Sequence, residues 1–269
     1  MSHLEISRLE LKVIEGEAIP LRPANRVLEA APANLVPAAQ HEEIVRANQA
    51  SSPVVILEEV EPARPLDPRL VVLADPSSPQ ARSYRLLQHR LIATSDPRVI
   101  AVISAQPGEG KTTCAANLAL TLADETFARV LLVEANTRRP GLAEIFGFSP
   151  ADSLINRLQQ ERDAKPPYFV ARVRGTRLHV AALQVDAARD TRLDRLLLGL
   201  ALSELRNFYQ YIVLDGASVL DSPDADVAGE CADGVLVTAR ARKSQRRDLR
   251  RAIAQLSPTP VLGVVLLDT

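Results

Sequence analysis

From Ala105 to Thr113 the chain reads "AQPGEGKTT". A lysine set directly after a glycine-broken turn and followed by two hydroxyls is suited to holding phosphate. Glycines let backbone N–H groups converge on phosphate oxygens with no Cβ in the way. Gln106, Pro107, Gly108, Glu109, Gly110, Lys111, Thr112 and Thr113 are therefore the expected cradle. Lys111 is placed to reach the outer phosphates, and the Thr112 hydroxyl to sit on Mg²⁺. Two acids elsewhere suit the same chemistry. A magnesium nucleotide needs a carboxylate beyond the phosphate loop, at the end of another apolar strand. Asp215, closing "YIVLD", supplies that metal ligand. Glu134, closing "VLLVE", suits a general base for a hydroxyl nucleophile, or a residue that positions water. Arg138 and Arg139 follow shortly after and suit bidentate contacts to phosphate or carboxylate oxygens. The plainer readings are a strand-end aspartate capping a turn and a pair of solvated arginines.

The elements that must carry these residues are legible around them. "RVIAVISA", before the loop, is a short apolar run rich in β-branched residues, and predicts a buried strand. After it Cys114, Leu118 and Leu122 recur at helical spacing, which predicts a helix from about Lys111. Strand, glycine loop and helix in that order make a P-loop, and the helix N-terminus adds partial positive charge. Further strands are expected at "RVLLVE", "RLHVAAL", "YQYIVLDG", "GVLVTA" and "VLGVVLL". Helices are expected at "SSPQARSYRLLQHRLIA", with Ser78 as N-cap and Pro79 at the first position, at "TRLDRLLLGLALSELR" and at "SQRRDLRRAIAQL". Near-continuous apolar strands separated by helices predict an α/β fold, a P-loop NTPase whose mostly parallel sheet is covered on both faces.

Residues 1–66 read differently. Eight of the nineteen prolines fall at or before Pro68, and "EAAPANLVPAAQ" is alanine-rich. Such a segment buries too little apolar surface to offset its ordering entropy. The expected division is a largely disordered tail over 1–66 and an ATP-binding domain over 67–269. Two apolar patches, "LELKV" at residues 9–13 and "PVVIL" at 53–57, have the character of strands that add to a partner's sheet edge.

The totals narrow the function. Of 269 residues 46% are hydrophobic, enough for a sizeable core, and the net charge of −1 predicts no polyanion partner. Aromatics at 3% and the absence of Trp disfavour base-stacking surfaces. Cys114 and Cys231 lie far apart without metal spacing, and the composition suits a reducing cytoplasm. The acidic start "MSHLEISRLELKVIEGE" lacks a signal-peptide core, and no run reaches the length of a membrane span.

Taken together, "SYRLLQHRL", "SAQPGEGKTTCAANLA", "VLLVEANTRRPGL" and "YIVLDGASVLDSPDADVAGECADGVLVTAR" resemble the bacterial tyrosine kinases of capsule and exopolysaccharide synthesis, among the MinD/ParA-like P-loop ATPases. The resemblance implies ATP and Mg²⁺ as cofactors, phosphorylation of tyrosines, and a membrane partner that controls polysaccharide chain length and export. It implies a cytoplasmic protein, held peripherally at the inner membrane through that partner. Lys111 and Thr112 match the phosphate and Mg²⁺ residues, Glu134 the first acid of the second Walker motif, and Asp215 the Walker B acid. Four positions depart from the pattern. Asn136 stands where the family has a second Asp in the catalytic set, and its amide brings no charge to a metal. Gly216-Ala217-Ser218 replaces a Pro-rich turn. Leu267 stands where an Asn reads adenine. The ring-forming Glu-x-x-Arg-x-x-Arg motif appears as Arg82, Arg85 and Gln88, which weakens the expected homo-oligomer. The family's tyrosine-rich tail is also missing, and the tyrosines are Tyr84, Tyr168, Tyr209 and Tyr211.

Two rival functions follow. One is a catalytically impaired ATP-binding interaction module of the same machinery. The other is a ParA/MinD-type ATPase switch on DNA or membrane, for which "RARKSQRRDLRR" offers cations. Leu249, Ile253 and Leu256 form an apolar stripe within that stretch, so a core-packed helix with a solvated basic face is the simpler account. The switch's extra P-loop lysine falls at Gln106, and its membrane helix would follow the last strand.

Overall fold

A computed structural model describes residues 54–62, 65–150, 168–183 and 192–268. Eight strands form one sheet: β1 (Val54–Val60), β2 (Val99–Ser104), β3 (Val130–Glu134), β4 (Tyr168–Val173), β5 (Leu178–Ala181), β6 (Tyr211–Ser218), β7 (Gly234–Arg240) and β8 (Val261–Leu267). Their order across the sheet is β1-β4-β5-β3-β6-β2-β7-β8. The five pairings from β5 to β8 are parallel, whereas β4 runs antiparallel to β5. The predicted α/β fold with a mostly parallel sheet is therefore present.

Period-two alternation decides which side chain meets which layer. Ile100 and Val102 of β2 face one core with Val213 and Leu236, while Val99, Ala101 and Ile103 face the other with Ile212, Leu214 and Val237. The first core is roofed by α1 (Val71–Ala74), α2 (Pro79–Thr94), α3 (Lys111–Glu125) and α4 (Leu142–Phe146). The second is roofed by α5 (Arg195–Leu205), α6 (Asp224–Cys231) and α7 (Arg246–Gln255). Because both faces are covered, central strands must be apolar at every position, and β2 and β3 are buried throughout. Ser78 caps α2 as expected: its hydroxyl accepts from Ala81 N at 3.1 Å with Pro79 at the first turn. Cys114 is buried in the first core, where burial raises its thiol to about 12.

One boundary needs correction. Val54–Val60, read as part of the tail, is an edge strand of this chain's own sheet, in parallel register from Val54↔Tyr168 to Val60↔Val173. Its β-branched run outweighs the prolines that flank it, because β4 gives it a ladder within the chain. The patch at 53–57 is thus engaged at home rather than on a partner's edge. The patch at 9–13 lies outside the described residues.

Candidate nucleotide and phosphoryl-transfer site

The site lies at the carboxyl ends of β2, β3, β6 and β7, where open parallel sheets bind ligands. The P-loop leaves β2 at Ser104 and enters α3 at Lys111 through Gly108 (φ 76°) and Gly110 (φ 81°). Both angles lie in the left-handed region, which favours glycine. Gly110 carries a second constraint: a Cβ there would stand 2.2 Å from Leu267 Cδ1. Leu267, at the position where the resembling family has its adenine-reading Asn, is thus a buried prop beneath the loop.

The loop is held by its own side chains. Gln106 N donates to Glu109 Oε2 at 2.8 Å, and Ser244 Oγ donates to Glu109 Oε1. Gln106 Nε2 donates to Asp248 Oδ2 at 3.2 Å. Lys111 turns inward, donating to Ser218 Oγ at 3.0 Å and Ser104 Oγ at 3.2 Å. Burial lowers its pKa, and the charges of Asp215 and Glu109 resist that fall. Ser104, Ser218 and Ser244 were not foreseen, whereas Glu109, expected in the cradle, serves to hold the loop. The available signal was position, since Ser104 ends the strand before the loop and Ser218 follows Asp215 by three.

The two acids stand side by side, Glu134 in register with Asp215 across the β3–β6 pair. Glu134 Oε2 accepts from Leu142 N at 2.8 Å and Gly141 N at 3.0 Å, the orphan donors at the start of α4. Its Oε1 and both Asp215 carboxylate oxygens are buried and without a hydrogen-bond partner among the described residues. Burial raises Asp215 to about 6, against the pull of the Thr112 hydroxyl and Lys111. Burial, then the charge of Asp215, raises Glu134 well above the usual carboxylate range. Thr112 closes the group from above, with Oγ1 at 3.6 Å from where a Gly141 Cβ would stand. Buried carboxylate oxygens without donors, beside a threonine hydroxyl and a phosphate loop, fit a hard divalent cation. No trio of His, Cys, Asp or Glu among the described residues forms a metal cage, so such an ion would depend on nucleotide oxygens for the rest of its shell.

Asn136 is held in the turn that follows β3. Its Nδ2 donates to Arg139 O at 2.9 Å and its Oδ1 accepts from Arg139 N at 3.3 Å. Both ends of the amide thus hold the turn that bears Arg138 and Arg139. Both arginines are exposed, and Arg138 Nη1 donates to Asp221 O at 3.0 Å. Thr137 Oγ1 donates to Asp224 Oδ2 beneath them, joining the loops after β3 and β6. Gly216, in the departure from a Pro-rich turn, is where β6 presses on β2: a Cβ there would lie 2.7 Å from Ile103 Cγ2. In the weakened ring motif, Arg85 is occupied within the chain by Glu125 Oε1 at 2.8 Å and Pro76 O at 2.7 Å. The basic helix packs as the simpler account has it, with Ala252 and Leu256 buried and Arg246, Arg247, Arg250 and Arg251 outside. No helix among the described residues is long and apolar enough to cross a membrane.

No family model matches the chain. It is 32% identical over 208 residues to the succinoglycan biosynthesis transport protein ExoP of Rhizobium meliloti, covering 74% of this chain and 26% of ExoP. It is 25% identical over 173 residues to the tyrosine-protein kinase CpsD of Streptococcus agalactiae, covering 63% of this chain and 73% of CpsD. The crystal structure of the VpsO kinase domain superposes with a TM-score of 0.57 at 26% identity, covering 71% of this chain and 95% of that one. The P-loop, the paired strand-end acids and these likenesses agree: the chain is similar to bacterial tyrosine kinases and to a succinoglycan transport protein, of which it spans about a quarter.

Proposed function

We propose that this chain binds Mg–ATP in the P-loop and transfers the terminal phosphoryl group to tyrosines of a partner protein in bacterial exopolysaccharide or capsule synthesis. The observation that carries the reading is the buried pair Glu134 and Asp215, with unpartnered oxygens beside Thr112 and Lys111. Asp215 and Thr112 would hold Mg²⁺, which neutralises charge on the phosphate oxygens. Lys111 and the loop amides bind the phosphates, and Arg139 lies on the turn across from them. Glu134 takes the proton of the acceptor hydroxyl at Oε1, while Gly141 and Leu142 fix its other oxygen. The hydroxyl oxygen attacks the terminal phosphorus, the bond to the bridging oxygen breaks, and ADP leaves.

None of the four tyrosines in this sequence offers a free, exposed hydroxyl as acceptor. Tyr84 is buried, and Tyr168, Tyr209 and Tyr211 spend their hydroxyls on Glu204, His179 and Asp96. A membrane component of the export machinery would supply the acceptor tyrosines and hold this chain at the inner membrane. The test is transfer of label from γ-labelled ATP to a tyrosine-rich peptide, run beside phosphate release, with wild type and Lys111→Ala. Transfer lost in the variant supports the kinase. Phosphate release without transfer points instead to an ATPase switch.

A second reading, an ATP-binding interaction module, has one observation in its favour: Asn136 is committed at both ends to Arg139. Asn136→Asp exchanges an amide donor for a charge near the metal site. A rise in transfer with unchanged ATP affinity favours the kinase. Persistent inactivity in the presence of tight ATP binding favours the module.

A further inference from the structure

The turn between β7 and α7 brings a cation to the P-loop that the mechanism above does not use. Lys243 Nζ lies 3.9 Å from the point where a Cβ on Gly108 would stand. The ammonium therefore lies beside Gly108, within the phosphate loop's own sequence. The side chain is exposed and makes no ion pair among the described residues. Its neighbour Arg242 pairs with Asp268 at 2.6 Å, so that acid is already engaged.

The turn is also fixed in place. Ser244 Oγ accepts from Arg240 N at 2.8 Å and donates to Glu109 within the P-loop. Lys243 N donates to Arg240 O at 3.3 Å, and Ala241 N donates to Leu267 O at 2.8 Å. Arg240 Nη1 approaches Gly108 O at 3.5 Å. Arg242 holds a φ of 62°, a left-handed angle costly for a side chain of this size. A backbone pinned this closely limits the reach of the lysine to the mouth of the loop. The charge balance gives it work there. A magnesium-bound triphosphate carries net negative charge, Lys111 supplies one cation, and Asp215 and Glu134 add acids beneath it.

We propose that Lys243 is a nucleotide-contacting residue whose ammonium binds the phosphate chain as a second cation beside Lys111. The proposal rests on the nucleotide-binding reading of the P-loop. The test is titration calorimetry of the full chain with Mg–ATP, comparing wild type, Lys243→Gln, Lys243→Arg and Arg251→Gln. Arg251→Gln removes the same charge from an exposed site on α7. Lys243→Gln is expected to weaken ATP about three- to ten-fold, with Lys243→Arg recovering most of the loss. Arg251→Gln is expected to change affinity less than about two-fold, since screening removes distant surface charge. Thermal unfolding without nucleotide should be the same in all four. If wild type and Lys243→Gln bind ATP equally, or if Lys243→Gln and Arg251→Gln lose the same amount, the proposal is overturned while nucleotide binding stands. If wild type itself binds no ATP, both readings fall together.

Discussion

On the outer wing of the sheet, Glu59 of β1 meets Arg172 and, at 3.7 Å, Arg174, while Glu61 meets Arg174 at 2.9 Å. All four side chains are exposed, and each of the two acids has an arginine partner. At the carboxyl ends of β3 and β6, Glu134 and Asp215 are buried and keep three oxygens between them without a hydrogen-bond donor among the described residues. Water supports the wing charges, so their pairs contribute little. At the sheet centre burial strips the acids of most of that support, and the folded chain carries the cost. The difference separates acids that decorate a surface from acids kept ready for a ligand.

The largest break in that contrast is expected from Glu134→Gln. It leaves one carbonyl oxygen to accept at the start of α4 but removes the base. Phosphoryl transfer to a tyrosine peptide should fall about 10²–10⁴-fold, with ATP affinity within a few-fold of wild type. Glu59→Gln on the wing should leave the rate unchanged in the same assay.

Asp215→Asn should sharpen the contrast from the stability side. A carboxyl raised from 3.8 to about 6 in the fold binds its proton more tightly there than in the unfolded chain. Its contribution is complete below about pH 4 and is lost as the pH rises through about 6. The asparagine variant should therefore gain about 2–3 kcal/mol over wild type at pH 7, with the gap closing toward pH 4. Urea unfolding at both pH values measures it. The variant should also lose the stabilisation that Mg–ATP gives wild type.

Lys111→Ala removes a charge-assisted contact of roughly 1.5–3 kcal/mol, so titration calorimetry should show ATP binding weakened about ten- to a hundred-fold. Smallest of all, Arg172→Ala should shift stability by less than about 1 kcal/mol and leave ATP affinity untouched. A larger loss there would mean that the wing pairs hold β1 to β4 more firmly than exposed charges normally do.

The central strands, the P-loop and the paired acids were legible because each is a local pattern. An apolar run, a glycine turn and a strand-end acid announce themselves within a few residues. β4 was missed although "YFVARV" has strand chemistry, because its partner β1 lies more than a hundred residues earlier and was read with the prolines around it. The short helices α1 and α4 offer too few turns to show a period. The loop-holding residues were hidden for another reason. Ser218, Ser244 and Lys243 acquire their meaning only when β6 and β7 flank β2, a fact of topology. Asn136 illustrates the same limit: its residue type suggested a weakened metal ligand, whereas the turn geometry uses both ends of its amide.

The contact of Leu267 with Gly110 bears on the order in which the site is made. The phosphate loop leaves the ribosome well before β8, with Lys111 and Thr112 already in the chain. Its underside stays unsupported until Leu267 at the end of β8 arrives and fills the space beneath Gly110. A nascent chain halted after β7 would expose a complete motif over a missing floor. A chain extended only through β7 therefore carries the sequence of the phosphate loop without the side chain that packs beneath Gly110.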